Sequence, residues 1–434
     1  MQVTVENVSS LERRVKVVVP ADKVAQDVSA RIAKAAKTIR MDGFRPGKVP
    51  VSVVQKRFGD SIRQEALGEI IRDSFYEAVT QEKINAAGYP SIEEVSDNAG
   101  EDLSFTALVE VYPEPELASF ADIKIERPAV EIGEADIDEM IENLRKQRAT
   151  FADSTEAAAE GDKVTLDFEG TVDGELFEGG ASQGFELELG SKRMIPGFED
   201  AIVGIKAGEV RDINVTFPED YQAENLKGKA AVFKITAHTV KKSVLPEVDE
   251  EFLKAFGVTD GGVEKFREDV SKNMARELKQ AVKTKVKTQV MDGLLAANAI
   301  DVPKALVANE IARQREAMFK QFGGGAKLDP KMLPDDLFAE QAKRSVSLGL
   351  LISQIIKDKA IAVDSERVRE LVNEVAESYE SPEEVVNYYY GNKEQLAQVE
   401  ALVLEDQVVD TILAEAQVSD VSARYADVVV RNAR

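Results

Sequence analysis

Gly43-Phe44-Arg45-Pro46-Gly47-Lys48-Val49-Pro50 divides two apolar helical runs, and its reading decides how the first domain is built. On its N-terminal side Pro20, Ala21 and Asp22 open a helix that puts Val24, Val28, Ile32 and Ile39 on one face. On its C-terminal side Val54, Phe58, Ile62, Leu67, Ile71 and Phe75 continue a second helical run, ending near Gly88-Tyr89-Pro90. Two prolines stiffen the stretch between them and two glycines permit positive φ, so a projecting loop is expected there. Further out, residues 2–8 and 13–19 alternate with period two and read as strands, and residues 103–112 read as a third. Residues 1–112 thus form one α+β unit with the loop at its tip. Phe44 can stack on a base or fill a protein groove, while Arg45 and Lys48 can donate to phosphate or carboxylate. An ordinary turn whose phenyl ring folds back into the domain accounts equally well for the loop chemistry alone.

Charge separates this segment from the rest. The 434-residue chain carries a formal charge of −24, yet residues 1–57 hold 12 Lys and Arg against 5 Asp and Glu, leaving −31 for the remainder. A basic first segment on an acidic protein is the asymmetry expected when only one end meets a polyanion. The 44% hydrophobic and 31% charged fractions describe a globular protein, and the length calls for two to four domains. No apolar stretch is long enough to span a bilayer. The absence of Cys removes disulfides, thiol catalysis and Cys-type zinc sites. That absence and a strand-like N-terminus without an export signal lead us to expect a cytoplasmic protein with no membrane partner.

Beyond Pro113-Glu114-Pro115-Glu116 the chain reads as an extended connector with one helix over residues 136–150. Residues 161–242 then change texture, with strands expected at 163–170, 186–189, 209–217 and 230–240 and a short helix at 197–203. From Pro246 onward helices are expected over 263–298, 304–322, 334–359, 365–379, 393–417 and 421–430. Gly323-Gly324-Gly325 and Pro330 to Pro334 read as loop. The triple glycine has no following Lys-Ser/Thr, so it is no phosphate cradle.

The middle segment holds Phe168, Phe177, Phe185, Phe198, Phe217, Tyr221 and Phe233, although the chain is only 6% aromatic. Aromatics in a small β domain are more often plain core. Twisting an X–Pro bond out of amide resonance, however, needs no nucleophile, only a dry aromatic pocket and backbone donors. The sole histidine, His238, cannot build a zinc site and reads as a surface or packing residue. No cofactor or metal is implied.

Two resemblances connect these observations. Phe44-Arg45-Pro46-Gly47-Lys48-Val49-Pro50, with Gly43 before it, resembles the ribosome-docking signature of trigger factors, and the likeness runs over essentially the whole chain. It implies that Phe44, Arg45, Gly47 and Lys48 dock beside the exit tunnel of the large ribosomal subunit, on a ribosomal protein and adjacent rRNA. Pro46 stands where some members carry a basic residue, so the loop loses a charge and gains stiffness. Residues 164–170, with Asp173-Gly174 and Phe177-Glu178, resemble the opening hairpin of FK506-binding-protein isomerases, and Met194-Ile195-Pro196-Gly197-Phe198-Glu199-Asp200-Ala201 resembles their pocket-floor helix. By that resemblance Phe168, Phe177, Ile195, Phe198, Tyr221 and Phe233 are the catalytic pocket, and Glu178 stands where many relatives have Asp.

The expected architecture is a multidomain α+β protein: an N-terminal α/β docking domain (1–112), a connector with a helix (113–149), a small β-rich FKBP-like domain (150–246) and a C-terminal all-helical body (247–434). The implied function is an ATP-independent, ribosome-associated chaperone that shields nascent polypeptides and isomerises X–Pro bonds, and a weak homodimer away from the ribosome fits this reading. A free prolyl isomerase for folded substrates and a non-catalytic holdase scaffold are the alternatives. In the helical body Leu348, Leu350, Leu351, Ile352, Ile355 and Ile356 read as core. Met318, Phe319, Phe322, Leu328, Met332, Leu333, Leu337, Phe338 and Tyr388-Tyr389-Tyr390 are candidates for adaptable client surface on less regular segments.

Overall fold

The computed structural model describes residues 1–42, 44–45, 47–98, 100–322, 333–377, 379 and 381–429, with the side chains of residues 321 and 322 excluded. In chain order it forms β1 (Gln2–Asn7), β2 (Glu12–Val19), α1 (Ala21–Thr38), α2 (Val51–Gln81), β3 (Ser91–Ser96), β4 (Leu103–Glu110), β5 (Lys124–Ala129), α3 (Glu134–Gln147) and β6 (Thr150–Ser154). There follow β7 (Lys163–Val172), β8 (Glu175–Glu188), α4 (Phe198–Ile202), β9 (Val210–Thr216), β10 (Ala230–Val244), α5 (Glu250–Ala255) and α6 (Gly262–Ala297). The last elements are α7 (Lys304–Phe322), α8 (Asp336–Asp358), α9 (Ser365–Ala376), α10 (Pro382–Gly391), α11 (Lys393–Glu415), β11 (Gln417–Ser422) and α12 (Tyr425–Val428). Two compact units result, Met1–Arg127 with Thr284–Val421, and Pro128–Lys283 with Ser422–Arg434.

In the first unit an antiparallel sheet of order β1-β2-β4-β3 lies under α1 and α2. The alternation of β2 and β4 turns Val15, Val17, Val19, Leu103, Phe105, Ala107 and Val109 inward, where they meet Val24, Leu67, Ile70, Phe75 and Ala78. A smaller cluster of Ile32, Ala36, Val49 and Val54 closes the far ends of the two helices. The connector and the helical part of this unit are tied together by side chains. Asn298 accepts from the Ala118 N–H at 2.7 Å, and the Gln289 amide both accepts from and donates to the Glu126 backbone at 2.8 Å.

In the second unit β6-β10-β7-β8 form an antiparallel path and β9 pairs with the free stretch of β10. Alternation again fixes the core: Val164, Leu166, Phe168 and Val172 of β7 and Ala231, Phe233, Ile235 and Ala237 of β10 point to one side, onto α4. Asp162 is buried and accepts from the N–H groups of Ala159 (2.7 Å) and Ser243 (3.0 Å) and from Lys242 Nζ (2.7 Å), so the domain's first turn is latched to its last strand.

Several expectations change. Strand β8 is far longer than residues 186–189, because the hairpin after Asp173-Gly174 carries it from Glu175 to Glu188. The helix expected over 136–150 stops at Gln147, and Thr150 starts β6. The helix expected from residue 421 is preceded by β11, which pairs with β5, and only Tyr425–Val428 is helical. Tyr388, Tyr389 and Tyr390 lie on a regular helix, α10: Tyr389 packs toward Val368, Val372, Val399 and Val403, while its two neighbours are exposed. Met318 and Leu337 are exposed and Phe338 is buried. Gly323-Gly324-Gly325, Leu328, Pro330 and Met332 lie outside the described residues, as does the side chain of Phe322.

Candidate functional site

Phe233 stands at the centre of the second unit's inner face. Its ring centroid is 5.1 Å from Phe198, 6.0 Å from Phe177, 6.1 Å from Phe168 and 6.5 Å from Phe217. The contacts to Phe198 and Phe177 are edge-to-face at 87°, the arrangement that sets the positive rim of one ring against the face of the next. Period-two alternation on β7 and β10 delivers Phe168 and Phe233 to this side, and α4 presents Phe198 from below with no exposed surface. Phe177 arrives from β8 because two glycines clear its path: a Cβ on Gly180 would sit 2.7 Å from its ring, and one on Gly170 would meet Phe233 at 2.5 Å and Phe177 at 2.9 Å. Tyr221 and Ile195 are half-buried against the same cluster, and Glu178 is exposed.

All six residues expected for the pocket, Phe168, Phe177, Ile195, Phe198, Tyr221 and Phe233, are therefore brought together on one core. Two more aromatics join them that the sequence reading counted but did not assign. Phe217 lies 5.7 Å from Phe177 and 4.8 Å from Tyr221, and Phe185 lies 5.7 Å from Phe168. The Phe217-Pro218 step, four residues before Tyr221, was the available signal.

Around this apolar enclosure the charged groups are held at its edges. Glu199, next to Phe198, is 7% exposed and accepts hydrogen bonds from the N–H groups of Gly190 (2.8 Å), Lys192 (3.0 Å), Arg193 (2.9 Å) and Met194 (3.1 Å). Burial pushes its carboxyl up, but those backbone donors outweigh the burial and hold it below the usual range. Asp167 accepts from the Gly184 N–H at 2.7 Å and pairs with His238 Nε2 at 2.8 Å, and these two partners, in that order, lower its pKa. His238, read as a surface or packing residue, therefore has a carboxylate partner. Such a site can bury a proline ring and exclude water without a nucleophile or base.

The loop of the first unit has a different character. Phe44 is 39% exposed, and Arg45 and Lys48 are exposed and form no ion pair among the described residues. The Lys48 N–H donates to the Arg45 carbonyl at 3.0 Å, and Gly47, at φ 75°, makes that reversal. Val49 is buried between α1 and α2 and anchors the loop's return. Gly43 and Pro46 lie outside the described residues.

Comparison with known proteins bears on both regions. Residues 1–144 match the family described as bacterial trigger factor protein, residues 262–414 its C-terminal part, and residues 154–238 the FKBP-type peptidyl-prolyl cis-trans isomerases. A trigger factor of Alcanivorax borkumensis is 54% identical over 429 residues, covering 99% of this chain and 98% of that one. One of Stutzerimonas stutzeri is 52% identical with the same coverage. A solved structure of the trigger factor chaperone aligns over 96% of this chain and all of its own, with a TM-score of 0.50 at 22% identity, a likeness of fold. With that fold, an aromatic core inside the isomerase-matched residues and full-length relatives above half identity, the chain belongs to the bacterial trigger factor family and carries an FKBP-type peptidyl-prolyl isomerase domain.

Proposed function

We propose that this chain is an ATP-independent, ribosome-associated chaperone that shields nascent polypeptides and speeds X–Pro exchange in the pocket of Phe168, Phe177, Ile195, Phe198, Tyr221 and Phe233. Membership of the family implies ribosome and nascent-chain binding. The closed set of rings around Phe233 is the observation that supports this pocket most directly. A dry aromatic wall favours the twisted imide, whose carbonyl is less polar than that of the planar amide, and Tyr221 is the hydroxyl at its edge. The functional division is docking at residues 1–112, connector at 113–149, isomerase at 150–246 and helical body at 247–434.

Docking is assigned to Phe44, Arg45, Gly47 and Lys48, which contact ribosomal protein and rRNA near the exit tunnel. An exposed ring followed in the same loop by two exposed cations supports that role. Tethering raises the local concentration of emerging chains, so weak contacts in the helical body suffice. The protein works in the cytoplasm, and a weak homodimer away from the ribosome belongs to the same reading.

Two measurements test it. Ribosomes pelleted through sucrose carry down wild type and lose Phe44→Ala/Arg45→Ala, and equal pelleting removes the docking role. Wild type accelerates proline-limited refolding of a model substrate and Phe198→Ala does so at least about tenfold less. No acceleration by wild type rejects the isomerase role.

A further inference from the structure

The stretch from Gly190 to Met194 forms the lip that leads into Ile195 and α4, yet it belongs to no ladder and no helix. Its path is unusual: Gly190 has φ 89° and Lys192, which is not glycine, φ 57°. Backbone of this kind has to find acceptors for its N–H groups outside regular structure, because one buried without a partner loses the hydrogen bond it makes to water in the unfolded chain. Here the N–H groups of Gly190, Lys192, Arg193 and Met194 all point at one side chain, the Glu199 carboxylate, and Ser191 adds its hydroxyl at 3.3 Å. Only the Ser191 N–H goes elsewhere, to the Glu188 carbonyl at 3.3 Å. Oε2 takes Gly190 and Lys192, and Oε1 takes Arg193, Met194 and the serine, so both oxygens accept more than once.

Glu199 is also the residue after Phe198, whose ring touches Phe168 and Phe233. One carboxylate thereby fixes the lip to the same turn of α4 that carries the pocket floor. Met194 and Ile195, the lip's apolar end, are half-buried against the aromatic core and are set in place by this attachment.

We propose that Glu199 is a positioning residue of the isomerase site, which touches no substrate but holds the Gly190–Met194 backbone so that Ile195 closes the proline pocket. The proposal rests on the pocket reading given above. Replacing either oxygen by an amide nitrogen sets a donor against donors, so even the isosteric Glu199→Gln releases part of the lip.

The test uses the full chain with a proline-containing tetrapeptide as substrate, and backbone hydrogen exchange as the second readout. E199Q is expected to lower kcat/KM by about ten- to a hundredfold while exchange quickens at residues 190–194 and stays slow in β7 and β10. Glu199→Asp, which keeps the charge but withdraws it by one methylene, is expected to fall between E199Q and wild type in both readouts, and it carries the test if E199Q does not fold. Wild-type kcat/KM in a variant with a loosened lip overturns the proposal, as does lost activity with residues 190–194 as protected as before. Failure of the pocket reading looks different, because wild type itself would then be inactive on the tetrapeptide.

Discussion

The ring of Tyr221 lies 4.8 Å from that of Phe217, tilted by 57°, and Phe217 is itself buried against Phe177 and Phe233. The half-exposed tyrosine is thus backed by a fully packed ring whose position is fixed by two others. Phe217 touches both Tyr221 and Phe177, so in the proposed pocket a change at Phe217 is expected to act through those two rings.

Phe217→Leu keeps an apolar side chain of similar bulk while deleting the flat surface against Tyr221. Stability should fall by about 1 kcal/mol, the ordinary cost of a near-isovolume core swap. Isomerase kcat/KM should fall about tenfold, because the tyrosine loses its backing. Thermal unfolding and a tetrapeptide assay on the same preparation read the two effects. Unchanged activity would show that Tyr221 is held by something other than this ring.

Gly170→Ala tests the crowding of the aromatic set. Gly170 does not adopt positive φ, so alanine meets no backbone penalty there, but its methyl would lie 2.5 Å from Phe233 and 2.9 Å from Phe177. Both rings must separate, at a cost of about 1–3 kcal/mol. A lowered melting temperature with lost tetrapeptide turnover is expected. A variant as stable and active as wild type would mean that the rings have slack.

Acid should weaken the isomerase domain through its buried carboxylates. At Glu199 burial raises the pKa but the backbone donors prevail, and at Asp162 burial is likewise outweighed, by Lys242 and by the N–H groups of Ala159 and Ser243. Both groups therefore titrate below their unfolded values of 4.5 and 3.8. A depressed folded pKa adds stability that is whole above the unfolded value and disappears as pH falls through the folded one. The domain's melting temperature should be level down to about pH 5 and then decline, beginning with Glu199. E199Q should start lower and decline less steeply, and equal slopes for the two proteins would remove Glu199 from this account.

How much of this was legible beforehand depends on what each segment buries. Strands β2 and β4 announce themselves because every second residue enters a core, and α1 does so through the 3.6-residue period of Val24, Val28 and Ile32. Strands β3 and β11, Ser-Ile-Glu-Glu-Val-Ser and Gln-Val-Ser-Asp-Val-Ser, are exposed along their whole length, so no alternation marks them and neither was expected. Helix α10 buries none of its residues completely, which is why its three tyrosines read as irregular chain. The pocket rings were visible as composition and family pattern. Glu199 reads in the sequence only as the neighbour of Phe198, because amino-acid order does not display where the four backbone N–H groups that donate to it point.

Glu110 closes a helix end far along the chain. Its carboxylate accepts from the N–H groups of Lys304 at 3.1 Å and Ala305 at 2.8 Å, the first residues of α7, where Pro303 precedes and the helix itself supplies no acceptor. The negative charge also suits the positive end of the helix dipole. Its own carbonyl accepts from the Ala87 N–H at 2.8 Å, and at Gly88 an added Cβ would come within 2.6 Å of the Ala305 side chain. The end of β4 and the turn before β3 thus grip the first turn of α7 closely. Glu110→Ala leaves two N–H groups without this acceptor and should cost about 1 kcal/mol, the usual value of a lost cap. Because the chain has several domains, one global unfolding energy would blur that loss. Hydrogen exchange at residues 304–307 resolves it: about fivefold faster exchange there, with β2 and β4 unchanged, is the expected result. Equal protection in wild type and variant would mean that Pro303 and packing alone hold the helix start, and that the carboxylate is incidental to it.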